Sequence, residues 1–284
     1  MPNHKLGRLL IIGGHEDKEN DRTILRALAE HVGSGKLVVA TTASQLPQQM
    51  WDEYERVFRA LGVRHLYKLE VEKREDAKSP QKIKILDDAD AVFFTGGDQL
   101  KITSQLGDTP IFERVHEIFH AGGMIAGTSA GASVVCETMM VGGNDDGSHR
   151  LGHGARMAPG LGLFPGVMVD QHFAERGRMS RLLGVVAQNP RILGIGIDEN
   201  TAILVKGNRT FTVIGDGAVS VLDGSTVTYS NIAEARVEKT LSIYDVKLHA
   251  LTQGDVFDLS RRRPFAHSEK RVEEELVSAG SGDE

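Results

Sequence analysis

The sequence predicts an α/β protein in which helices flank a mostly parallel β-sheet. Short apolar and β-branched runs bounded by Gly or Asp alternate with longer segments of helical character, which is the pattern of repeated βαβ units. Several of the runs are apolar at every position, as expected for strands buried on both faces of a parallel sheet. After residue 200 the runs become shorter and are separated by Gly-containing turns, which predicts a C-terminal antiparallel β extension.

The individual elements follow from local start and stop signals. Strands are predicted where an apolar run meets Gly or an acidic residue, and helices where a longer stretch begins near Pro or an acidic residue. The predicted strands are 8–12, 36–41, 65–69, 91–95, 124–127, 166–169 and 193–197. The predicted helices are 21–31, 47–61, 80–87, 110–120, 130–138 and 180–188.

The chain length of 284 residues fits one large domain. We predict a single domain over residues 1–260, in which 202–260 form the β-rich extension at the edge of the sheet or as a small subdomain. Residues 261–284 are rich in charge and poor in core residues, which predicts a peripheral tail. The tail opens with three consecutive arginines, a pattern more typical of a solvated surface than of a docking patch.

Charge and cysteine content narrow the possible partners. The formal net charge is −6, which disfavours a nucleic-acid partner. No apolar run reaches the roughly 20 residues that a membrane span needs, and the N-terminal segment lacks signal-peptide features. The single cysteine, Cys136, cannot form an intrachain disulfide. We therefore expect a cytoplasmic protein without a nucleic-acid or membrane partner, and we expect a homodimer.

The segment GMIAGTSAGASVV, residues 123–135, carries the most specific chemical signal. An apolar strand runs into G-T-S-A-G and then into a helix, which is the context that a nucleophile elbow requires. Ser129 would stand at the apex of a strained turn, with Gly127 and Gly131 giving the backbone room. The amide of Ala130 would then point towards a developing oxyanion. A Gly/Ser turn that merely caps a helix is the simpler alternative for this segment.

A serine nucleophile needs a base and a carboxylate that orients the base. His172 lies at the carboxyl end of a predicted parallel strand, where catalytic groups collect in open α/β sheets. Glu199 follows another apolar strand and is the natural orienting group, with Asp198 as its rival. Neighbouring side chains on a strand face opposite ways, so only one of the two can reach the imidazole.

Other candidate residues carry weaker signals. The turn Thr95-Gly-Gly-Asp-Gln would bring a second oxyanion amide, from Gly97 or Asp98, together with the side chain of Gln99. Cys136 follows the elbow serine by seven residues and is better explained as a small buried side chain than as a nucleophile. The glycines after the first strand lack the third Gly of a dinucleotide-binding fingerprint, and we predict no cofactor.

Two histidines have a spacing that suggests a metal. His149 and His153 are separated by three residues in a loop rich in Gly and Asp. The loop offers no clear third ligand, which favours a solvated loop, and we predict no metal site.

The motifs IGGHEDK, FFTGGDQ, AGTSAGASV, DQHFAERGRMSRL and GIGIDENTA, in this order and spacing, resemble those of the cyanophycinases within the peptidase E-like serine peptidases. The resemblance spans about residues 7–260 and differs at His15, which replaces a smaller residue. It implies a fold related to class I glutamine amidotransferases, with Ser129 as nucleophile, His172 as base and Glu199 as its partner. It also implies a substrate pocket formed by Gln99, Asp170, Gln171, Arg176, Arg178 and Arg181.

The resemblance further implies a substrate, the cyanophycin polymer, which is a poly-aspartate chain that carries arginine on its side-chain carboxyls. Serine attack on the backbone amide would give an acyl-enzyme and release β-Asp-Arg dipeptides. A peptidase E-like dipeptidase acting on N-terminal Asp peptides is the alternative enzyme, and a binding module with an inert elbow is the alternative without catalysis.

The arginines also support an anionic ligand independently. They fall before and within the first turn of a predicted helix, where the helix dipole disfavours cations. Arg178 and Arg181 are three residues apart and share a face, which suits a bidentate grip on a carboxylate. We expect them to bind substrate carboxylates, although a solvated basic face would also give this pattern.

Overall fold

The computed structural model describes residues 6–142, 156–234 and 240–265. The strands are β1 Arg8–Ile12, β2 Lys36–Ala40, β3 His65–Leu69, β4 Ala91–Phe94, β5 Met124–Thr128, β6 Thr138–Gly142, β7 Arg156–Pro159, β8 Val167–Gln171, β9 Leu193–Ile197, β10 Thr201–Lys206, β11 Thr210–Gly215, β12 Val219–Asp223, β13 Tyr229–Ser230, β14 Ile243–Tyr244, β15 Lys247–Leu251, β16 Val256–Asp258 and β17 Arg263–Pro264. The helices are α1 Thr23–Val32, α2 Pro47–Ala60, α3 Pro80–Lys84, α4 Gln99–Leu106, α5 Pro110–His120, α6 Ala130–Ser133 and α7 Met179–Gln188.

A nine-stranded sheet forms the centre of the molecule, in the order β17-β16-β11-β10-β1-β5-β4-β2-β3. On one side of β1, the strands β5, β4, β2 and β3 continue the sheet in parallel. On its other side, β10, β11, β16 and β17 continue the sheet with antiparallel pairing. The predicted α/β class, with helices around a largely parallel sheet and an antiparallel C-terminal extension, is confirmed.

A second, four-stranded sheet has the order β15-β12-β9-β8. β8 and β9 pair in parallel, while β12 and β15 pair antiparallel. The sequence predicted β8 and β9 as strands of the one parallel sheet, and this placement is wrong. Both strands are buried along their whole length. Inner strands of the central sheet are apolar for the same reason, so the composition of β8 and β9 does not show which sheet they join.

The core lies on both faces of the central sheet. Leu10 and Ile12 of β1 pack with residues of α1 and α2 on one face. Leu9 and Ile11 pack on the other face with α4, α5 and the inner strands of the second sheet. This alternation buries β1 completely and fixes its register, because a slip by one residue would exchange the two faces.

Two boundaries differ from those predicted. The helix expected over 130–138 ends at Ser133, because the carbonyls of Val134, Val135 and Cys136 accept hydrogen bonds from amides of residues 161–164 instead of from a following helical turn. The fold also continues past the predicted boundary at 260, since β17 pairs with β16 and Arg262 binds the buried Asp223 at 2.7 Å. The remainder of the predicted tail, 266–284, lies outside the described residues.

Candidate active site

Three strand ends bring a serine, a histidine and a glutamate together. Ser129 follows β5 of the central sheet, His172 follows β8 and Glu199 lies two residues after β9 of the second sheet. Ser129 Oγ is 2.9 Å from His172 Nε2, and His172 Nδ1 is 2.6 Å from Glu199 Oε1. The two sheets therefore meet at a hydrogen-bonded series of nucleophile, base and carboxylate.

The turn at Ser129 has the strained geometry of a nucleophile elbow. Ser129 has φ 53° and ψ −111°, and its amide donates to the carbonyl of Ile12 at 3.1 Å. A Cβ at Gly127 would lie 2.1 Å from the carbonyl oxygen of Gly131, and one at Gly131 would lie 2.2 Å from that of Phe94. Only glycine fits these two positions, which is the requirement that the G-x-S-x-G motif predicted.

The turn after β4 lies against the nucleophile. A Cβ at Gly96 would be 3.5 Å from Ser129 Cβ, and Gly97 has φ 141° with the carbonyl of Ala43 directly behind it. Asp98 does not supply an oxyanion amide, because its N–H donates to Ala43 O at 2.9 Å and its carboxylate caps α4 through Leu100 N–H at 2.8 Å. The prediction for Asp98 is therefore wrong, and its role is that of a helix cap.

The amides of Gly97 and Ala130 remain as candidate oxyanion donors. Ala130 begins α6, so its N–H has no acceptor within the helix. In the part of the chain that the structure describes, neither amide donates to a backbone carbonyl in another element. Both are therefore available for an oxygen that carries developing negative charge.

The environment of His172 favours a neutral imidazole. Burial lowers the pKa of His172 and the nearby charges of Arg176 and His15 lower it further, whereas the hydrogen bond and charge of Glu199 oppose them; the pKa lies below its ordinary value. The contact with Glu199 directs the Nδ1 proton to the carboxylate, which leaves the Nε2 lone pair facing Ser129 Oγ. A neutral ring in this tautomer can accept the serine proton.

Glu199, and not Asp198, faces the imidazole. Burial acts to raise the pKa of Glu199, but hydrogen bonds and charges from His172 and His15 outweigh it and hold the pKa below its ordinary value. Asp198 points away and accepts the amide protons of Ala174 at 3.1 Å and Ala218 at 3.0 Å. Glu199 is therefore the carboxylate of the site, whereas Asp198 connects the segments that contain Ala174 and Ala218.

The loop after β1, residues 13–16, contacts His172, Glu199 and the residue before Ser129. Gly13 O accepts the amide of His172 at 2.8 Å, and a Cβ on Gly14 would lie within 2.3–2.9 Å of the His172 ring atoms. The buried Glu16 accepts hydrogen bonds from Thr128 Oγ1 and from Tyr54 Oη, both at 2.5 Å. The sequence did not predict these roles: the Gly-Gly motif was weighed as a dinucleotide fingerprint and as part of the resemblance, and neither indicates contacts with His172 or the elbow.

Arg178 and Arg181 bind a carboxylate of the protein itself. Arg181 Nε donates to Asp170 Oδ2 at 2.7 Å and its Nη2 donates to Oδ1, while Arg178 Nη1 lies 3.4 Å from Oδ1. Arg178 is 5% exposed and Asp170 is 1% exposed. Arg178 also contacts the backbone and side-chain oxygens of the buried Gln171. Asp170 thus supplies a carboxylate for both arginines within the protein, which explains their position without a ligand, and their binding of a substrate anion stays a prediction.

The remaining predicted residues differ in accessibility. Arg176 is exposed, and its charge acts on His172. Gln99 is half-buried at the start of α4 and donates through Nε2 to Met140 O at 2.8 Å. Cys136 is fully buried, as predicted, and burial raises the pKa of its thiol to about 12, so it stays protonated and unreactive.

The described ranges contain neither a metal-binding cluster nor a membrane-spanning helix. Within 6–142, 156–234 and 240–265, no group of three or more His, Cys, Asp or Glu side chains is arranged to hold a metal ion. His149 and His153 lie outside these ranges. No helix in the same ranges is long and apolar enough to cross a membrane.

A strained elbow serine joined through histidine to a glutamate, on strand ends of an α/β fold, defines a serine-type hydrolase. The model of peptidase family S51 matches residues 9–213. The chain belongs to peptidase family S51.

Relatives and a solved structure support this membership. The chain is 37% identical over 260 residues to the cyanophycinase of Synechococcus elongatus, covering 90% of this chain and 80% of the relative. It is 35% identical over 269 residues to the cyanophycinase of Geminocystis herdmanii, covering 94% and 98%. A crystal structure of a peptidase from an acI-B1 Actinobacterium matches with a TM-score of 0.68 and 25% identity, covering 90% of this chain and 98% of that one.

Proposed function

We propose that the protein is a cyanophycinase, a serine-type exopeptidase that hydrolyses the poly-aspartate backbone of cyanophycin to β-Asp-Arg dipeptides. The observation that carries the chemistry is the series from Ser129 Oγ through His172 to Glu199, at 2.9 and 2.6 Å. Identity of 35–38% to cyanophycinases over about nine-tenths of the chain supports the substrate class.

The reaction follows from the positions of these groups. Ser129 Oγ attacks the backbone carbonyl carbon while His172 Nε2 takes its proton, and Glu199 stabilises the imidazolium that forms. The amides of Gly97 and Ala130 donate to the oxyanion. The imidazolium then protonates the leaving amine, the C–N bond breaks, and an acyl-enzyme remains. Water, deprotonated by His172, releases the acyl group and restores the serine.

The pocket that we propose uses fewer direct contacts than the resemblance implied. Arg176 is exposed beside His172, and we propose that it binds a substrate carboxylate, with Gln99 as a second contact. Asp170, together with the two arginines that it binds, then supports the loop between β8 and α7. A charge-assisted contact contributes about 1.5–3 kcal/mol, so Arg176→Ala should lower kcat/KM by about 10- to 150-fold.

Solution state and location belong to the same proposal. We propose that the protein acts in the cytoplasm as a homodimer. A buried cysteine with no disulfide partner is compatible with a reducing compartment. Sedimentation equilibrium on the full chain tests the dimer, and a monomer at micromolar concentration would contradict it.

The substrate assignment is tested by supplying purified protein with insoluble cyanophycin. Clearing of the suspension and release of β-Asp-Arg dipeptides, identified by mass spectrometry, are expected for the wild type, with Ser129→Ala as the inactive control. Plain poly-aspartate should react poorly, because it lacks the arginine, and a pocket selective for cyanophycin would leave the groups that bind this arginine unpaired. Hydrolysis of α-linked Asp dipeptides without attack on cyanophycin would overturn the proposal in favour of an aspartyl dipeptidase.

A further inference from the structure

His15 contacts the carboxylate oxygen of Glu199 that does not face His172. His15 Nδ1 is 3.0 Å from Glu199 Oε2, and because a carboxylate only accepts, the nitrogen donates. The ring centroids of His15 and His172 are 5.4 Å apart and the rings are perpendicular. The carboxylate is therefore fixed on both oxygens, by one buried and one exposed imidazole.

The backbone sets this contact in advance. His15 has φ 46° and follows Gly14 at φ 106°, so the chain turns back towards the site directly after β1. Gly14 O accepts the amide of Asn200 at 2.9 Å, which fastens the loop to the residue after Glu199. The side chain of His15 is 76% exposed, but its backbone is fixed between the end of β1 and the segment that leads into β10.

The charges around His15 come from several elements. Glu199 and His172 face it from the ends of the second sheet, and Arg176 and Glu175 stand in the loop between β8 and α7, where Glu175 Oε1 accepts the amide of Glu199 at 3.2 Å. On its other side His15 lines a cavity of about 270 Å³ with three carboxylates. These are Asp17, Asp21 and Asp216.

We propose that His15 is a positioning residue that holds Glu199 Oε2 so that Oε1 stays on His172. The inference rests on the proposed serine mechanism but not on the identity of the substrate. Without this donor the carboxylate of Glu199, which is one-quarter exposed, is free to rotate towards water and to leave the imidazole. The loss then falls on the rate of serine attack rather than on substrate binding.

The test compares His15→Gly with His15→Asn. Glycine tolerates φ 46° and removes the donor, whereas asparagine also tolerates this conformation and places an N–H close to the position of Nδ1. We expect His15→Gly to lower kcat on cyanophycin by about fivefold with KM within twofold, since an exposed contact to a charged group is worth little more. His15→Asn should restore kcat to within about twofold of wild type.

A second readout does not depend on the substrate. The rate at which a fluorophosphonate labels Ser129 should fall in His15→Gly and recover in His15→Asn. His15→Asn also lacks the positive charge that lowers the pKa of His172 while it keeps the donor to Glu199, so the acid limb of its labelling rate should move to higher pH. His120→Asn, an exposed histidine that ends α5 at the far end of β5, is the matched control and should change neither rate.

Several results would overturn the inference. A raised KM with unchanged kcat and labelling in His15→Gly would make His15 a substrate contact, and equal losses in the Gly and Asn variants would remove the donor role. Thermal unfolding monitors folding, and His15→Ala provides a second deletion if the glycine variant is unstable. If wild-type protein labels at Ser129 but ignores cyanophycin, the proposed substrate fails while the labelling series still decides the role of His15.

Discussion

Replacing Glu199 by glutamine should disable the proposed base while leaving the fold intact. The carboxylate is 2.6 Å from His172 Nδ1 and is the contact that keeps the Nδ1 proton in place. A glutamine amide can turn its N–H₂ towards Nδ1, which moves the ring proton to Nε2 and directs a donor at Ser129. The charge that stabilises the imidazolium is lost in the same substitution.

The size of the effect follows from burial. The corresponding amide substitution in a serine triad with a buried aspartate costs about 10⁴-fold in kcat. Glu199 is 25% exposed, so water can partly replace the lost charge. We expect a fall in kcat of about 10²- to 10⁴-fold, equivalent to about 3–5 kcal/mol of transition-state stabilisation. The acid limb of the pH profile should move to lower pH, because the contacts that raise the pKa of His172 are removed.

Asp198→Asn is the matched control for this substitution. Asp198 accepts two backbone amides at 3.0 and 3.1 Å, and asparagine retains only one carbonyl oxygen for them. Its cost should be about 1–2 kcal/mol in the free energy of unfolding, with kcat within tenfold of wild type. Steady-state kinetics, fluorophosphonate labelling and thermal unfolding of both variants provide the test. A larger kcat loss in Asp198→Asn than in Glu199→Gln, at equal stability, would refute the assignment of Glu199.

Four further outcomes follow from the geometry. Ser129→Ala should lower kcat by about 10⁶-fold without loss of folding, and Ser129→Gly should be about 1 kcal/mol more stable than Ser129→Ala in urea unfolding, since φ 53° strains any residue with a Cβ. Gly14→Ala should abolish activity because the new methyl lies within 3 Å of the His172 ring, whereas Gly62→Ala, at φ 88° in open space, should cost only about 1 kcal/mol in stability. Iodoacetamide should not inactivate the native protein, because the Cys136 thiol is buried with a pKa of about 12; rapid loss of activity with alkylation at this residue would contradict its burial. Wild-type kcat/KM should stay high below pH 6.5 and decline only at more acidic pH, since the neutral form of His172 is active and its pKa is lowered.

The strands were predictable because burial on both faces leaves a clear mark in the sequence. Arg8–Ile12 and Leu193–Ile197 are buried along nearly their whole length and have the predicted bounds. His65–Leu69 also has its predicted bounds, although it is partly exposed. Helix α4 was missed, although its signal was present. Asp98 was interpreted as part of the site, and its side chain in fact caps the helix that begins at Gln99.

Contacts between distant elements were beyond the sequence. The spacing of Arg178 and Arg181 correctly placed both on one side of a turn, but nothing local indicated that the carboxylate they bind would be Asp170, at the end of the preceding strand. The choice between Glu199 and Asp198 was open for the same reason. Strand alternation shows that the two side chains diverge, but only the packing of the second sheet against β1 decides which one meets His172.

The position of β1 explains why the loop after it can organise the site. β1 lies between β5, which carries Ser129, and β10, which follows Glu199 along the chain, and residues 13–16 leave its carboxyl end. A loop at this place can reach the elbow on one side and the second sheet on the other. Gly13 and Gly14 allow the close approach to His172, and the acidic side chain two residues later can return to the elbow. The Gly-Gly-His-Glu sequence is therefore better explained as the support of a catalytic series than as a phosphate-binding turn.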